Sequence, residues 1–234
     1  MPLYLTSKLL SAAGVAHGFS LREAGDDRSR LKEAAGLARD IATVHQVHGD
    51  RIVDAGGREV MAASQQQAEG ADALLALDRG EAVGVRIADC VPVLLHDKRL
   101  GVSAAVHSGW RGTRLSIAAR AVRALQRAAG SDPRDLVAAV GPSIGRCCYS
   151  VSAELGVEFR AVFGPEAAED PQQNPNPRLD LRYCVTRALV DAGVPSGRIE
   201  HVAGCTSCDS GSFFSFRRDK GRTGRHLAFI GSRE

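Results

Sequence analysis

The stretch that decides the fold, GVRIADCVPVLLHDKRLGVSAAVHSGW, runs from Gly84 to Trp110. Together with the two residues before it, it contains three β-rich apolar runs, at 82–87, 91–95 and 101–106. Short apolar runs bounded by turn-forming residues are typical of buried strands. The stretch therefore predicts a β-rich centre. Cys90 lies in the turn after the first run, and His107 follows the third.

Strands and helices are mixed on either side of this centre. Pro92 has no backbone N–H, so the second run is expected to start at an edge or an irregular position. N-cap residues and closing glycines predict helices at 26–37, 113–129, 152–163 and 181–193. Further strands are predicted at 41–47, 50–54, 136–140, 199–203, 213–217 and 226–230, and 71–77 fits either a strand or a helix.

The order of these elements indicates the fold class. Strands and helices do not alternate strictly in the middle of the chain, which favours an α/β (α+β) protein with mixed sheets over a doubly wound parallel sheet. The proline-rich segment 164–178 is expected to be a mobile loop within a domain. Since no other segment resembles a boundary, we expect the 234 residues to form a single domain over 1–234.

Composition and charge narrow the class of function. The chain has 30 Lys and Arg against 27 Asp and Glu, a net charge of +3 that is too mild for a typical nucleic-acid binder. No apolar run reaches the roughly 18 residues of a membrane span, and the N-terminus does not resemble a signal peptide. The six cysteines do not form a tidy disulfide pattern. We expect a cytoplasmic protein with no nucleic-acid or membrane partner, and a monomer or a weak dimer.

His48, Cys90 and His107 form the strongest group of candidate site residues. Each lies at the end of a β-rich run beside a turn, and two imidazoles with one thiolate are a common catalytic zinc set. Asp89, which precedes Cys90, is a candidate general base or a partner that orients a metal ligand. The same residues also fit a cysteine nucleophile with its base or, for His48 alone, a structural histidine.

The motif Cys205-Thr206-Ser207-Cys208 competes with this group. A C-x-x-C motif suits a redox pair or half of a structural zinc site. Cys147 and Cys148 are adjacent, which is the wrong spacing for the other half of such a site. A turn follows Cys208 where a redox motif would open a helix. We therefore predict a packing role for this motif, and that serine at both positions leaves catalytic turnover largely intact.

Six segments in one order, VHQVHG, ADALL, IADCVPVLL, AAVHSGWRGT, VGPSIGRCCYSV and FFSFRRDKGRTGRHLAFIG, resemble the multicopper polyphenol oxidase (laccase) family. The resemblance runs from about His17 to Gly231. Members of this family are understood as zinc-dependent purine nucleoside phosphorylases. The resemblance implies a four-layer αββα sandwich and a metal held by His48, Cys90 and His107. It also implies purine nucleosides and phosphate as substrates, with adenosine deamination as a possible side activity.

Arginines are the expected phosphate ligands, because a guanidinium grips phosphate with two hydrogen bonds. The candidates are Arg22 and three residues of the C-terminal basic cluster, Arg217, Arg222 and Arg225. The loop after Arg22 is shorter than the family pattern, which predicts a more open site and a raised KM. We expect the Arg22→Ala variant to weaken phosphate-dependent cleavage with unchanged zinc content. If Arg22 points elsewhere, the C-terminal arginines inherit the role.

Three alternatives to phosphorolysis follow from the same residues. A cysteine hydrolase or amidase would use Cys90 as nucleophile and His107 as base. A metal-binding protein could have lost catalysis with its shortened loop. Polyphenol oxidation is disfavoured, because a multicopper oxidase takes most of its ligands from H-x-H pairs and this chain has seven histidines and no such pair. One copper ion could still replace zinc in vitro, since copper binds such ligands more tightly.

Overall fold

The computed structural model describes residues 2–233, which form twelve strands and six α-helices. The strands are β1 (Tyr4–Leu5), β2 (Ala16–Ser20), β3 (Ile41–Ala42), β4 (Ile52–Asp54), β5 (Glu59–Met61), β6 (Ala73–Ala76), β7 (Ala82–Ile87), β8 (Val91–Asp97), β9 (Val102–Ser108), β10 (Leu136–Val140), β11 (Ile199–His201) and β12 (His226–Gly231). The helices are α1 (Lys8–Ala12), α2 (Arg28–Ala35), α3 (Trp110–Arg114), α4 (Ile117–Ala129), α5 (Ala153–Phe163) and α6 (Leu181–Asp191). None of the helices in this part of the chain is both long enough and apolar enough to cross a lipid bilayer.

The strands form two mixed sheets. One has five strands in the order β1-β2-β12-β7-β3, and the other has seven in the order β11-β10-β8-β9-β6-β4-β5. Most neighbours are antiparallel, while β3 with β7, β4 with β6, and β10 with β11 are parallel. The predicted mixed sheets are confirmed.

Alternate residues of the same strands belong to different cores, which makes the architecture four-layered. Ala104 and Val106 of β9 pack under the helices, whereas Ala105 between them packs between the two sheets. On β12, Phe229 packs against α2 and Ile230 packs between the sheets. Because neighbouring side chains of a strand point to opposite faces, these strands are buried on both sides. This explains their continuous apolar runs.

The position of Pro92 differs from the sequence-based expectation. Strand β8 lies between β10 and β9 and is not an edge strand. The carbonyl of Pro92 accepts a hydrogen bond from the N–H of Gly141, just beyond the end of β10. The N–H and C=O of one strand residue point to the same side. The missing N–H of Pro92 therefore faces a place where β10 has already ended. The hydrogen bonds between β8 and β10 are otherwise little affected.

Three other elements also depart from the predicted pattern. Thr113 lies inside α3, and α4 begins only at Ile117 after Ser116 adopts a left-handed conformation (φ 56°). The segment 213–217 forms turns and irregular structure. The strand predicted over 41–47 ends at Ala42. Beyond it, successive backbone N–H groups bond to a carboxylate and not to a neighbouring strand.

Candidate metal centre and cavity

The structure brings His48, Cys90 and His107 together, although they come from three separate segments. One ligand atom of each lies within 4.8 Å of the other two. His107 is the penultimate residue of β9, Cys90 lies in the turn between β7 and β8, and His48 lies in the loop after β3. Strands β8 and β9 pair along their whole length, so the turn before β8 meets the end of β9.

Asp72, just before β6, organises this trio. Its carboxylate accepts hydrogen bonds from the backbone N–H groups of Val47, His48 and Gly49, at 3.2, 3.0 and 2.7 Å. It also lies 2.7 Å from the Nδ1 atom of His107. These contacts fix the His48 loop and leave Nε2 of His107 free for a metal. A carboxylate behind a ligating histidine is the usual way to fix its tautomer.

Backbone geometry around the trio is tight. His48 has a φ of 61° and Asp89 has a φ of 93°, values that residues other than glycine rarely adopt. A Cβ atom at Gly109 would lie 3.0 Å from both Sγ of Cys90 and Cδ2 of His48. A side chain where β9 leads into α3 would therefore crowd two of the three ligands and push them from their positions.

The Cys90 thiol and the His107 imidazole shift each other's pKa. Burial raises the pKa of Cys90, but the charge of His107 and hydrogen bonds from His107 and His48 outweigh this and lower it to about 6. Burial lowers the pKa of His107, but the Cys90 thiolate and Asp72 outweigh this and raise it to about 10. Without metal, the pair is a thiolate and an imidazolium at neutral pH.

The donor set fits a zinc ion. Two imidazole nitrogens and one thiolate sulfur are ligands that zinc prefers, and a set of three leaves a fourth position open to substrate. Asp72 supplies the outer hydrogen bond that such sites need. No other charged group is required to complete the set.

The trio opens into a cavity of about 520 Å³, which lies within the range of small-molecule sites. The residues lining it are His45, Gln46, His48, Arg86, Ala88, Asp89, Cys90, His107, Trp110, Arg111, Ile144, Tyr149, Leu181, Phe216, Arg217 and Arg225.

Three arginines of this lining lie over aromatic rings. Arg111 lies 4.4 Å from the ring centre of Trp110, Arg217 lies 4.9 Å from that of Tyr149, and Arg225 lies 5.9 Å from that of Phe216. Stacking on a ring fixes the plane of a guanidinium. Nη1 of Arg217 donates to the carbonyl of Ser150 and Nη1 of Arg225 donates to those of Thr223 and Gly224, so the other N–H groups of these two arginines stay available. The cavity therefore offers both cations for an anion and flat apolar surfaces for a ring.

Asp89 lines the cavity, but its oxygen atoms are occupied. Oδ1 accepts a hydrogen bond from the hydroxyl of Thr206 at 2.6 Å, and Oδ2 accepts one from the backbone N–H of Arg217 at 2.7 Å. The backbone carbonyl of Asp89 also accepts from Ile144. These contacts tie the Cys90 turn to the C-terminal loop. The base role predicted for Asp89 stays a prediction.

The four arginines predicted to bind phosphate fall into two groups. Arg217 and Arg225 line the cavity, whereas neither Arg22 nor Arg222 does within residues 2–233. The guanidinium of Arg22 donates to the carbonyl of Phe213 at 2.9 Å and lies 4.3 Å from the ring centre of Phe214. Arg222 is exposed. Phosphate binding by these two residues stays a prediction.

Sequence reasoning missed Asp72, Arg86 and Arg111. Asp72 is the acidic residue of the ADALL segment, and a carboxylate at the start of a fully buried strand was an available signal. Arg86 is the one charged residue of the otherwise apolar strand β7, and it is exposed toward the cavity. Arg111 follows Trp110 in the SGWRG turn, with no signal beyond that adjacency.

The expectation that Cys147 and Cys148 could not complete a ligand set is wrong. Their sulfur atoms and those of Cys205 and Cys208 all lie within 4.8 Å of one another. Spacing along the chain suggested otherwise because the two pairs come from different loops, which only the folded chain brings together.

Comparison with known proteins places the chain among relatives of one family. A model described as multi-copper polyphenol oxidoreductase laccase matches residues 19–233. A protein named purine nucleoside phosphorylase YlmD from Geobacillus stearothermophilus is 39% identical over 168 residues, which are 70% of this chain and 61% of that relative. The match thus spans less than two thirds of that protein's length.

Two further similarities concern activity and fold. A protein named adenosine deaminase RL5, from an unknown prokaryotic organism, is 35% identical over 193 residues, 79% of this chain and 73% of that protein. The crystal structure of the hypothetical protein YfiH from Bacillus licheniformis superposes with a TM-score of 0.82 at 31% identity. That superposition covers 94% of this chain and 93% of the YfiH chain.

Proposed function

Since the chain belongs to the multi-copper polyphenol oxidoreductase laccase family, we propose that it is a zinc-dependent purine nucleoside phosphorylase and not a phenol oxidase. The observation that carries this proposal is the convergence of His48, Cys90 and His107 in a cavity that also presents arginines stacked on aromatic rings. Relatives named purine nucleoside phosphorylase support it.

The ligand count argues against multicopper oxidation. Within residues 2–233, the clusters of possible metal ligands are the trio and the four cysteines, and neither contains more than two histidines. Oxidases that reduce dioxygen at several coppers need far more imidazole nitrogen. Zinc bound by the trio would supply a Lewis acid with one open position beside the substrate.

The chain's own residues account for substrate binding. In phosphorolysis, a phosphate oxygen forms a bond to the anomeric carbon while the bond from that carbon to the purine nitrogen breaks. Arg111, Arg217 and Arg225 are available to hold the phosphate by charge-assisted hydrogen bonds. Trp110 and Tyr149 offer flat surfaces for the purine. Asp72 holds His107 in one orientation throughout.

Adenosine deamination is proposed as a side activity. The relative named adenosine deaminase RL5 supports this extension. In that reaction water adds to the purine ring and ammonia leaves, so the glycosidic bond stays intact. The two reactions therefore differ in their products: free base and ribose 1-phosphate in one, inosine and ammonia in the other.

A second candidate is a cysteine hydrolase or amidase, and one observation favours it. Cys90, His107 and Asp72 form a thiolate, imidazolium and carboxylate series, the arrangement that activates a nucleophilic cysteine. The same three groups are needed for the phosphorylase and for the cysteine hydrolase. Metal content distinguishes the two functions, because a Cys90 thiolate bound to zinc cannot act as a nucleophile.

The experiment is a nucleoside panel. Zinc-loaded protein is incubated with adenosine, inosine, guanosine and methylthioadenosine, with and without phosphate, and base, ribose 1-phosphate and ammonia are measured. We expect base release that requires phosphate. The Cys90→Ala variant should lose the zinc ion of the trio and activity together, while Cys184→Ala, which changes a buried thiol in α6, should retain both.

Two outcomes would contradict the proposal. Base release at equal rates without phosphate would indicate hydrolysis. Protein that stays free of zinc after reconstitution, but is rapidly inactivated by iodoacetamide at Cys90 and cleaves amides, would favour the cysteine hydrolase.

A further inference from the structure

Four cysteines outside the cavity lining form a second cluster. The sulfur of Cys147 lies 3.6 Å from that of Cys205 and 3.4 Å from that of Cys208, and the sulfurs of Cys148 and Cys208 are 3.3 Å apart. All four are free thiols. With the buried Cys184 and with Cys90 they are the six cysteines of the chain, so most of its thiols converge at one place.

Two loops supply this cluster. Cys147 and Cys148 lie in the loop after β10, and Cys205 and Cys208 lie in the loop after β11. Strands β10 and β11 are parallel neighbours, so both loops leave the same edge of the sheet. Beyond the strands, a backbone bridge joins Ser143 to Cys205. The parallel arrangement of β10 and β11 therefore brings the two cysteine pairs together. Beyond the strands, the two loops are joined by a few backbone contacts and by the contacts among the four thiols.

The distances suit a tetrahedral metal. Zinc–sulfur bonds of about 2.3 Å in a tetrahedron place neighbouring sulfurs roughly 3.8 Å apart. The measured separations of 3.3–3.6 Å are close to this value. Four soft thiolates at such spacing select zinc over the hard cations, which prefer oxygen.

The surroundings of Cys205 favour its thiolate form. The backbone N–H of Gly145 donates to Sγ of Cys205 at 3.2 Å, and a hydrogen bond to sulfur stabilises the charged form. The Arg182 guanidinium lies close enough to Cys205 for the two charges to attract. Zinc with four thiolates has a net charge of −2, so a neighbouring cation offsets part of it.

We propose that Cys147, Cys148, Cys205 and Cys208 bind a second zinc ion with a structural role. This ion is independent of the trio and of the reaction assigned to it. It joins the loop after β10 to the loop after β11. Thr206, within the second loop, donates to Asp89 beside Cys90, and its carbonyl accepts from Arg218, next to Arg217 of the cavity. The ion therefore anchors a loop that reaches the cavity lining.

Zinc stoichiometry tests the proposal. Protein reduced, reconstituted with zinc and desalted is analysed by plasma mass spectrometry for zinc per chain. We expect two ions in the wild type, one in Cys90→Ala and one in Cys205→Ser/Cys208→Ser. Cys184→Ala is the matched thiol control and should bind two. The proposal is wrong if the double variant binds as much zinc as the wild type, or if Cys90→Ala binds none.

Cobalt provides a readout that does not depend on folding of the double variant. Cys90→Ala lacks the thiolate of the trio, so any sulfur-to-cobalt charge-transfer band in that variant must come from the other cysteines. An intense band with tetrahedral visible absorption supports the four-thiolate site. Its absence, or a disulfide within the cluster in protein kept reduced, overturns the proposal. Since neither assay involves nucleosides, failure here and failure of the phosphorylase assignment are distinguishable.

Discussion

The cavity combines two regions that are held in different ways. Cys90 and His107 lie where β7 turns into β8 and where β9 ends, His48 lies in the loop after β3, and Asp72 bonds to both histidines. The arginine-bearing segment 213–225 contains neither strand nor helix. It is held by contacts such as that from the N–H of Arg217 to Asp89. Two of the three proposed metal ligands are thus positioned by strands, whereas two of the proposed phosphate ligands, Arg217 and Arg225, are positioned by a loop.

This difference predicts that substitutions in the two regions have different effects. Changes around the trio should alter metal binding and the charge of Cys90, because Cys90 and His107 lie at strand ends and Asp72 bonds to both histidines. Changes in the loop should alter substrate affinity with little effect on metal content, since loops tolerate adjustment that strands do not. Four experiments test this separation, from the largest expected effect to the smallest.

The largest effect concerns the charge of Cys90 in metal-free protein. Its pKa is lowered from 9.0 to about 6, so at neutral pH the thiolate should be favoured about a thousandfold more than in a free cysteine. As the pH falls through about 6, this thiolate should take up a proton. The ultraviolet thiolate absorbance of wild type minus that of Cys90→Ser should show this midpoint. A midpoint near 9 would contradict the ion pair.

Asp72 should have the next largest effect. In Asp72→Asn, the His107 contact and the hydrogen bonds to the His48 loop weaken, and outer partners of metal ligands typically contribute about 10- to 100-fold to affinity. Competition with a chelator should show zinc affinity reduced by that factor. Asp54→Asn is the control, because Asp54, at the end of β4 in the seven-stranded sheet, is also a buried carboxylate but pairs with Arg58. Equal zinc affinity in both variants would refute the role of Asp72.

The space at Gly109 provides the third experiment. A methyl group there meets Cys90 and His48 at 3.0 Å, and overpacking of this kind typically costs about 1–3 kcal/mol. We expect Gly109→Ala to weaken zinc binding about tenfold, with a smaller effect on the melting temperature of the metal-free protein, in which the exposed His48 ring can shift aside. Gly197→Ala is the control, since a Cβ atom there has no neighbour within 4 Å. Unchanged zinc affinity in Gly109→Ala would show that the ligands can move aside.

The difference between sheet and loop also explains which features the sequence predicts. Strands β7, β8 and β9 are continuous apolar runs, so their positions and the grouping of Cys90 with His107 follow from the pattern. Asp72 could not be assigned in the same way. Its partners are backbone N–H groups some 25 residues away, and no side-chain pattern marks such groups.

In the arginine-bearing segment, by contrast, the sequence predicts a strand that the structure does not contain. The segment 213–217 is rich in aromatic residues, which is typical of a strand, yet it forms none. There the backbone N–H of Arg217 bonds to Asp89, and that of Phe214 bonds to Nε2 of His226. Side-chain acceptors have replaced the neighbouring strand. Four thiols likewise meet across two loops whose spacing along the chain gave no indication of it.

The fourth and smallest effect separates the arginines. Arg217→Lys keeps the charge but removes the planar fork that can make two hydrogen bonds to phosphate. Loss of one such bond, about 1 kcal/mol, should raise the KM for phosphate about fivefold with unchanged zinc content. Arg22→Lys is the matched comparison, because Arg22 also stacks on an aromatic ring and, like Arg217, donates to a backbone carbonyl, but it lies outside the lining of the cavity.

We therefore expect a smaller rise in KM for Arg22→Lys than for Arg217→Lys, while both variants lower the melting temperature because each loses a hydrogen bond to a backbone carbonyl. Initial rates over a phosphate series, with zinc content and thermal unfolding measured on the same samples, separate the two variants. A rise in KM for Arg22→Lys that equals or exceeds that for Arg217→Lys would place Arg22 among the phosphate ligands. The loop after Arg22 would then have to close over the cavity when substrate binds.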